Sequence, residues 1–264
     1  PVINNTSQGS LLDRSTLIDG FTVTGRGGFG GIYNAQASPT IRNCRFEANS
    51  GFSILNTRGS GPLIESCMFS NNQEVAVYNV NHSTVWVTNC QFAGNSSAFA
   101  AAAIHNSESE AIIARCVFTD NASPVSSTVS SGSGSKVSLS HCVFLRNSGG
   151  FGGALRVDPQ ADAEVLNCLL ARNNAYGGGA IANYGNLRLV NATVVANSST
   201  AAGGGLLNRG GSASLYNAIL WANQAGIGSS SIESAQLTSD GAGTFSLFNS
   251  CLQGLSTPAN GNLA

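Results

Sequence analysis

The chain offers few residues that could do acid–base chemistry. Among its three histidines, His82, His105 and His141, none is spaced from a partner as a metal-ligand pair would be. The best catalytic grouping is His105 with Arg156, with Tyr78 as an aromatic wall and Glu108, Glu110, Asp158 and Asp162 in nearby loops. A base or paired carboxylates beside a basic side chain is what a polysaccharide lyase or glycoside hydrolase uses. Against that, Glu108 and Glu110 stand in a Ser/Glu-rich stretch that reads as solvated. Gly25–Gly31, GRGGFGG, is glycine-rich like a nucleotide loop, but no helical pattern follows it. No cofactor and no metal are expected.

The elements that would carry these residues are repeats. The clearest copy is Leu139–Asn147, LSHCVFLRN. An aliphatic residue is followed three positions later by Cys and two further on by Phe. The set recurs as Ile41/Cys44/Phe46, Ile64/Cys67/Phe69, Val87/Cys90/Phe92, Ile113/Cys116/Phe118 and Leu139/Cys142/Phe144. It continues in softened form as Val165/Cys168/Leu170, Leu189/Ala192/Val194, Leu215/Ala218/Leu220 and Leu247/Ser250/Leu252, with Ile18/Phe21/Val23 as an opening copy. A second aliphatic row, Ile32, Ile54, Val77, Ile104, Val129, Leu155, Ile181, Leu206 and Ile232, lies between them, and Asn follows most of its members two positions later.

These segments are short, alternate with period two and are punctuated by Gly, Asn and Ser, which excludes long helices. The repeat predicts an all-β fold, a right-handed parallel β-helix of about ten coils with 22–32 residues per coil. Coils stacked about 4.8 Å apart would make a rod about 48 Å long. Residues 1–264 read as a single β-helix domain, a fragment or mature part of a longer secreted protein.

Cys and Phe, two apart, face the interior, so like stacks on like. Seven Cys with row intervals of 23, 23, 26, 26 and 26 fit neither a disulfide framework nor zinc pairs. In-register side chains point the same way, so buried free thiols are expected, with Cys251 outside the row. The Asn row Asn49, Asn72, Asn95, Asn121, Asn147, Asn173, Asn197 and Asn223 suits left-handed turns or stacked amides. Ser126–Ser138 reads as a flexible, widened loop. Arg42 with Glu65, and Asp120 with Arg146 and Arg172, read as surface ion pairs between coils.

The outward face beside the Cys–Phe row changes along the chain. It is polar or small early and becomes apolar at Val117, Val143, Leu145, Leu169, Val195, Ile219 and Trp221. Such a strip exceeds what a monomer usually exposes. Cover by the tail Gly254–Ala264 or by a loop, or contact with a protein partner or another copy, would account for it. Neither end of the sequence supplies an obvious capping helix.

Charged residues are only 9 % of the chain and the formal net charge is −1, so no nucleic-acid footprint is present. No apolar run approaches the ~18 residues needed to span a bilayer. The GGAL and GGAI segments (Gly152–Leu155, Gly178–Ile181) and the FEAN, FSNN, FAGN, FTDN and FLRN segments (Phe46–Asn49, Phe69–Asn72, Phe92–Asn95, Phe118–Asn121, Phe144–Asn147) resemble the repeats of the chlamydial polymorphic outer-membrane proteins. They are also similar to the wider set of bacterial secreted β-helix proteins. That resemblance implies a passenger rod, secreted or at the bacterial cell surface, with no catalytic residue in its motifs. The expected function is therefore a non-catalytic rod for adhesion, surface display or self-assembly. The alternatives are a carbohydrate-active enzyme, with carbohydrate as a possible ligand, and a fibre or sheath subunit.

Overall fold

The chain winds as a right-handed parallel β-solenoid. This computed structural model describes residues 3–6, 12–25, 30–227, 231–257 and 260–264; most of the GRGGFGG segment lies outside them. Three sheets of ten parallel strands run along the rod. The first sheet runs from Ile3–Thr6 to Leu237–Asp240, the second from Leu17–Asp19 to Thr244–Phe248 and the third from Thr22–Val23 to Cys251–Leu252. About ten coils follow, as the repeat predicts.

The third sheet holds the Cys–Phe unit. Phe46, Phe69, Phe92, Phe118 and Phe144 stack with centroids 4.4–4.8 Å apart and are fully buried. Each such burial stabilises by about 1.5–3 kcal/mol relative to an exposed ring. The Cys row lies at the inner corner just before each strand. It is buried and unbridged from Cys44 to Cys168, whereas Cys251 pairs beside outward-facing Ile219. That corner takes only small side chains, with Ala192, Ala218 and Ser250 continuing the row. Phe21 stands at the same position in the opening coil and is too large for it; it turns outward, 56 % exposed.

The residue before each Cys-row position makes the turn. Asn43, Asn89, His141, Asn167, Asn191, Asn217 and Asn249 all have φ of 49–55°. A left-handed backbone is least costly for Asn among side-chain-bearing residues. The inner Asn row has a different role. There the left-handed residues are those preceding it, such as Asn71 and Asp120. The Asn side chains themselves form a buried ladder in which each Nδ2 donates to the next Oδ1 at 2.7–2.9 Å, from Asn49 to Asn223. A second ladder, Asn5–Asn34–Asn56–Asn79–Asn106, breaks where Ser131 and Val157 fill the row, and resumes at Asn183–Asn208.

The change of interval from 23 to 26 has a structural cause. From Asn95 onward each coil has extra residues between the Asn row and the first-sheet strand. These build a fourth, five-stranded sheet from Ala122–Ser123 to Gln224–Ala225. Past its last strand the chain forms the one short helix among the described residues, Ile232–Gln236, capped by Ser231. This helix corrects the second aliphatic row. Ile232 is exposed on the helix, and Leu237 takes the place beside Leu206. Ser126–Ser138 is likewise no widened loop. It contains strand Val129–Ser131 and the start of strand Lys136–Ser140, with Ser127, Thr128 and Ser131 fully buried. Their hydroxyls bond backbone carbonyls of Val129, Gly153 and Asp162.

Candidate functional sites on the rod's sides

The first sheet presents Tyr78, His105, Ser130 and Arg156 on successive coils. The His105 Nδ1 lies 2.6 Å from the Ser130 hydroxyl, and its ring tilts against Tyr78 at 5.1 Å. Phe52 stacks on the far side of Tyr78 at 4.7 Å. Burial lowers the His105 pKa to about 4; Asp158 opposes that shift and Arg156 adds to it. At neutral pH the ring is therefore uncharged. Arg156 donates from Nε to Asp158 at 2.6 Å and from Nη1 to the Val125 carbonyl at 3.3 Å, and lies over Tyr184.

The remaining carboxylates are elsewhere. Glu108 is a left-handed residue (φ 48°) in the turn after the His105 strand. It lines a shallow concavity of about 280 Å³ with His82, Glu110 and Lys136. Asp162 lies in the next hollow along the second sheet, about 410 Å³, with Glu164, Asn186, Arg188 and Tyr216. Lys136 lines both hollows. Its neighbours in the ladder are Glu110 on one coil and Asp162 on the other. The structure thus brings together His105 with Ser130, and Arg156 with Asp158. It places Glu108, Glu110 and Asp162 along a second-sheet groove instead.

Most groups in that groove are already bound to one another. Glu164 pairs with Arg188, which lies over the Tyr216 ring. Asn186 Nδ2 donates to Asp162 at 2.9 Å, and the Ser212 hydroxyl donates to Asn186 at 2.8 Å. Lys136 makes no ion pair with a described residue. Sequence reasoning missed Glu164, Asn186, Arg188 and Tyr216 as one groove. The available signal was that each lies an odd number of positions from Val165, Leu189 or Leu215, which puts it on the outer face of one sheet.

The apolar strip lies on the third sheet. Val117, Val143, Leu169 and Ile219 share one outward row, with Thr193 between the last two; Leu145, Val195 and Trp221 share the next, with Ala171 interposed. Val117, Leu169, Ile219 and Trp221 are 37–45 % exposed, and Val143, Leu145 and Val195 are half-buried. The described residues of the tail do not cover the strip. Leu263 pairs with Cys251 and Leu252 beyond the last strand of the sheet.

Ion pairs between coils differ in part from the expected ones. Arg42 bonds Asp19 at 2.9 Å, one coil back, not Glu65. Asp19 has a second donor there, Asn43, so its carboxylate is held on that side. Asp120 and Arg146 form a two-bonded pair at 2.9 Å, without Arg172. Among the described residues no cluster of His, Cys, Asp or Glu could hold a metal. No helix among them is long and apolar enough to cross a membrane.

Comparison with known proteins agrees on the architecture. Residues 2–102 match the model of the family described as right handed beta helix region. No curated protein matches the chain. A similar solved structure is the catalytic domain of a GH87 alpha-1,3-glucanase in complex with tetrasaccharides. It is 10 % identical, with a TM-score of 0.34 over 92 % of this chain and 69 % of that one. Nothing about chemistry follows from a likeness at that level.

Proposed function

We propose that this chain is a non-catalytic rod, secreted or displayed at a bacterial surface, that acts in adhesion, display or assembly through its sides. One observation carries the reading. His105 and Arg156 are committed to Ser130 and Asp158 on the first sheet, while Glu108 and Glu110 line a groove on the second. His105 therefore shares no hollow with Glu108 or Glu110, and that grouping forms none of the facing acid–base pairs that general acid–base catalysis needs. The interior favours a passive support as well. Amide and ring ladders run through coil after coil, and such stacking gives a stiff, repetitive scaffold. The third-sheet strip supplies an apolar face for a protein partner or a second copy.

One observation favours a carbohydrate-active enzyme instead. Lys136 stands between Glu110 and Asp162, a cation among carboxylates in an elongated groove. The test is direct. The purified protein is incubated with a panel of neutral and acidic polysaccharides, and new reducing ends and unsaturated products are followed. The rod reading expects neither, together with retention of the protein on a polymer or cell surface. Turnover abolished by Lys136→Ala would replace it with the enzyme reading.

A further inference from the structure

The fourth sheet carries a hollow whose chemistry differs from that of the other sides. It measures about 500 Å³, and Asn174, Tyr176, Ser198, Ser199 and Thr200 line it. No charged side chain takes part. Cavities of this size hold small ligands.

Tyr176 is 60 % exposed. Phe151 braces it at 5.6 Å with the rings almost perpendicular, and Phe151 is in turn set edge-on to Tyr184 at 6.3 Å. The adjoining Gly177 makes room for this brace, since a Cβ there would come within 3.3 Å of the Phe151 ring. An aromatic ring has thus been fixed in place while most of its surface is left in water.

The polar side chains beside the ring supply the second observation. Asn174, Ser198 and Thr200 stand on the outward side of these strands, and their side chains bond no described residue; Ser199 between them is only 8 % exposed and turns inward. The serine three coils earlier in that inward row, Ser123, donates to the Ala100 carbonyl at 2.7 Å and accepts from the Ser126 N–H at 3.0 Å. Outward polar groups left unbonded around a braced ring are available to a ligand in the hollow.

An exposed ring, a side-chain amide and several hydroxyls around an uncharged hollow match a neutral sugar. The C–H face of a pyranose packs on the ring, and its hydroxyls exchange hydrogen bonds with the Asn174 amide and the Ser198 and Thr200 hydroxyls. A uronate or phosphate would find no counter-charge. We infer that this hollow binds one or two residues of a neutral glycan, with Tyr176 as its platform. The inference rests on the adhesive-rod reading and names the class of ligand.

The test is calorimetric or saturation-transfer titration of the whole chain with neutral di- and trisaccharides of glucose, mannose, galactose and N-acetylglucosamine. At least one should bind. Tyr176→Ala should weaken it by about tenfold or more at an unchanged unfolding midpoint, and Tyr176→Phe should retain it. Tyr216→Ala, on the second sheet, should leave it unchanged. Binding by no member of the panel would overturn the inference, as would binding indifferent to Tyr176→Ala. Polysaccharide turnover would sink the rod reading separately, and Tyr176-dependent binding would survive it.

Discussion

Asn223 donates its side-chain amide to the Gln236 carbonyl oxygen at 2.8 Å. Gln236 belongs to the short helix, and it also accepts from the Asn223 backbone N–H at 3.1 Å. One residue outside the repeat thus supplies the next rung of an eight-residue amide ladder. Leucine at this position would leave two buried donors at Asn223 short of an acceptor, at about 1–3 kcal/mol per unsatisfied group. Gln236→Leu should lower stability by about 2–3 kcal/mol. Hydrogen exchange should quicken first in Leu237–Asp240. Unchanged exchange there would show that the helix does not hold the last coil.

Mid-ladder rungs should matter more than their outer counterparts. Asn121 Nδ2 donates to Asn147 and to the Phe92 carbonyl, and its oxygen serves Asn95. Asn191 sits in an exposed row, bonded to Asn167 and Asn217. Asn121→Ala should cost about 2–4 kcal/mol in chemical denaturation. Asn191→Ala should cost under about 1 kcal/mol. Equal costs would show that the buried ladder holds no special share of the stability.

The two rows also mark what the sequence makes legible. Inner Asn and Phe residues announce themselves because burial on a stacked fold favours like side chains on successive coils. Outer positions carry no such demand, so the Lys136–Arg188 groove was not visible as a groove. The fourth sheet was seen only as a longer interval. Its strands, such as Ser148–Phe151 (SGGF) and Asn174–Gly177 (NAYG), lack the apolar alternation that identifies a half-buried strand. Ile232 misled because the helix shifts the spacing, and only the packed coil shows that Leu237 fills the core.

The thiol row should be inert in the folded rod and fully titratable once unfolded. Cys44, Cys67, Cys90, Cys116, Cys142 and Cys168 are buried and unbridged, and Cys251 is half-buried. The neighbouring Cys142 thiol and then burial push Cys168 upward, so it stays un-ionised and unreactive. A thiol reagent should label at most Cys251 in native protein and all seven Cys in unreduced denaturant. Two or fewer labelled thiols under denaturation would mean that the row is bridged. Cys116→Ala should be tolerated at about 1–2 kcal/mol, since Ala192 and Ala218 hold equivalent corners.

Acid sensitivity should trace to His105. Its folded pKa is about 4, below the ordinary 6.5, because burial disfavours the imidazolium. The unfolded chain therefore binds the proton more readily between those values. Stability from this group is fully present above pH ~6.5 and is lost as pH falls towards ~4, by up to about 3 kcal/mol. His105→Gln should flatten the unfolding midpoint over that window, and the wild-type imidazole should titrate near pH 4. An imidazole midpoint near 6.5 would refute the burial account.

The third-sheet strip predicts concentration-dependent self-association. Leu169 and Ile219 face outward two coils apart in one row, with Thr193 between them. Both are exposed enough that replacement by lysine removes little core packing, so Leu169→Lys with Ile219→Lys should change folding stability by about 0.5 kcal/mol or less. If copies meet through this face, the double variant should stay monomeric in sedimentation at concentrations where the parent gains mass. Burying two unpaired ammonium groups in an apolar contact is too costly for the contact to persist. A parent that remains monomeric throughout would leave the strip to a different protein, and equal association of parent and variant would move the interface off this sheet.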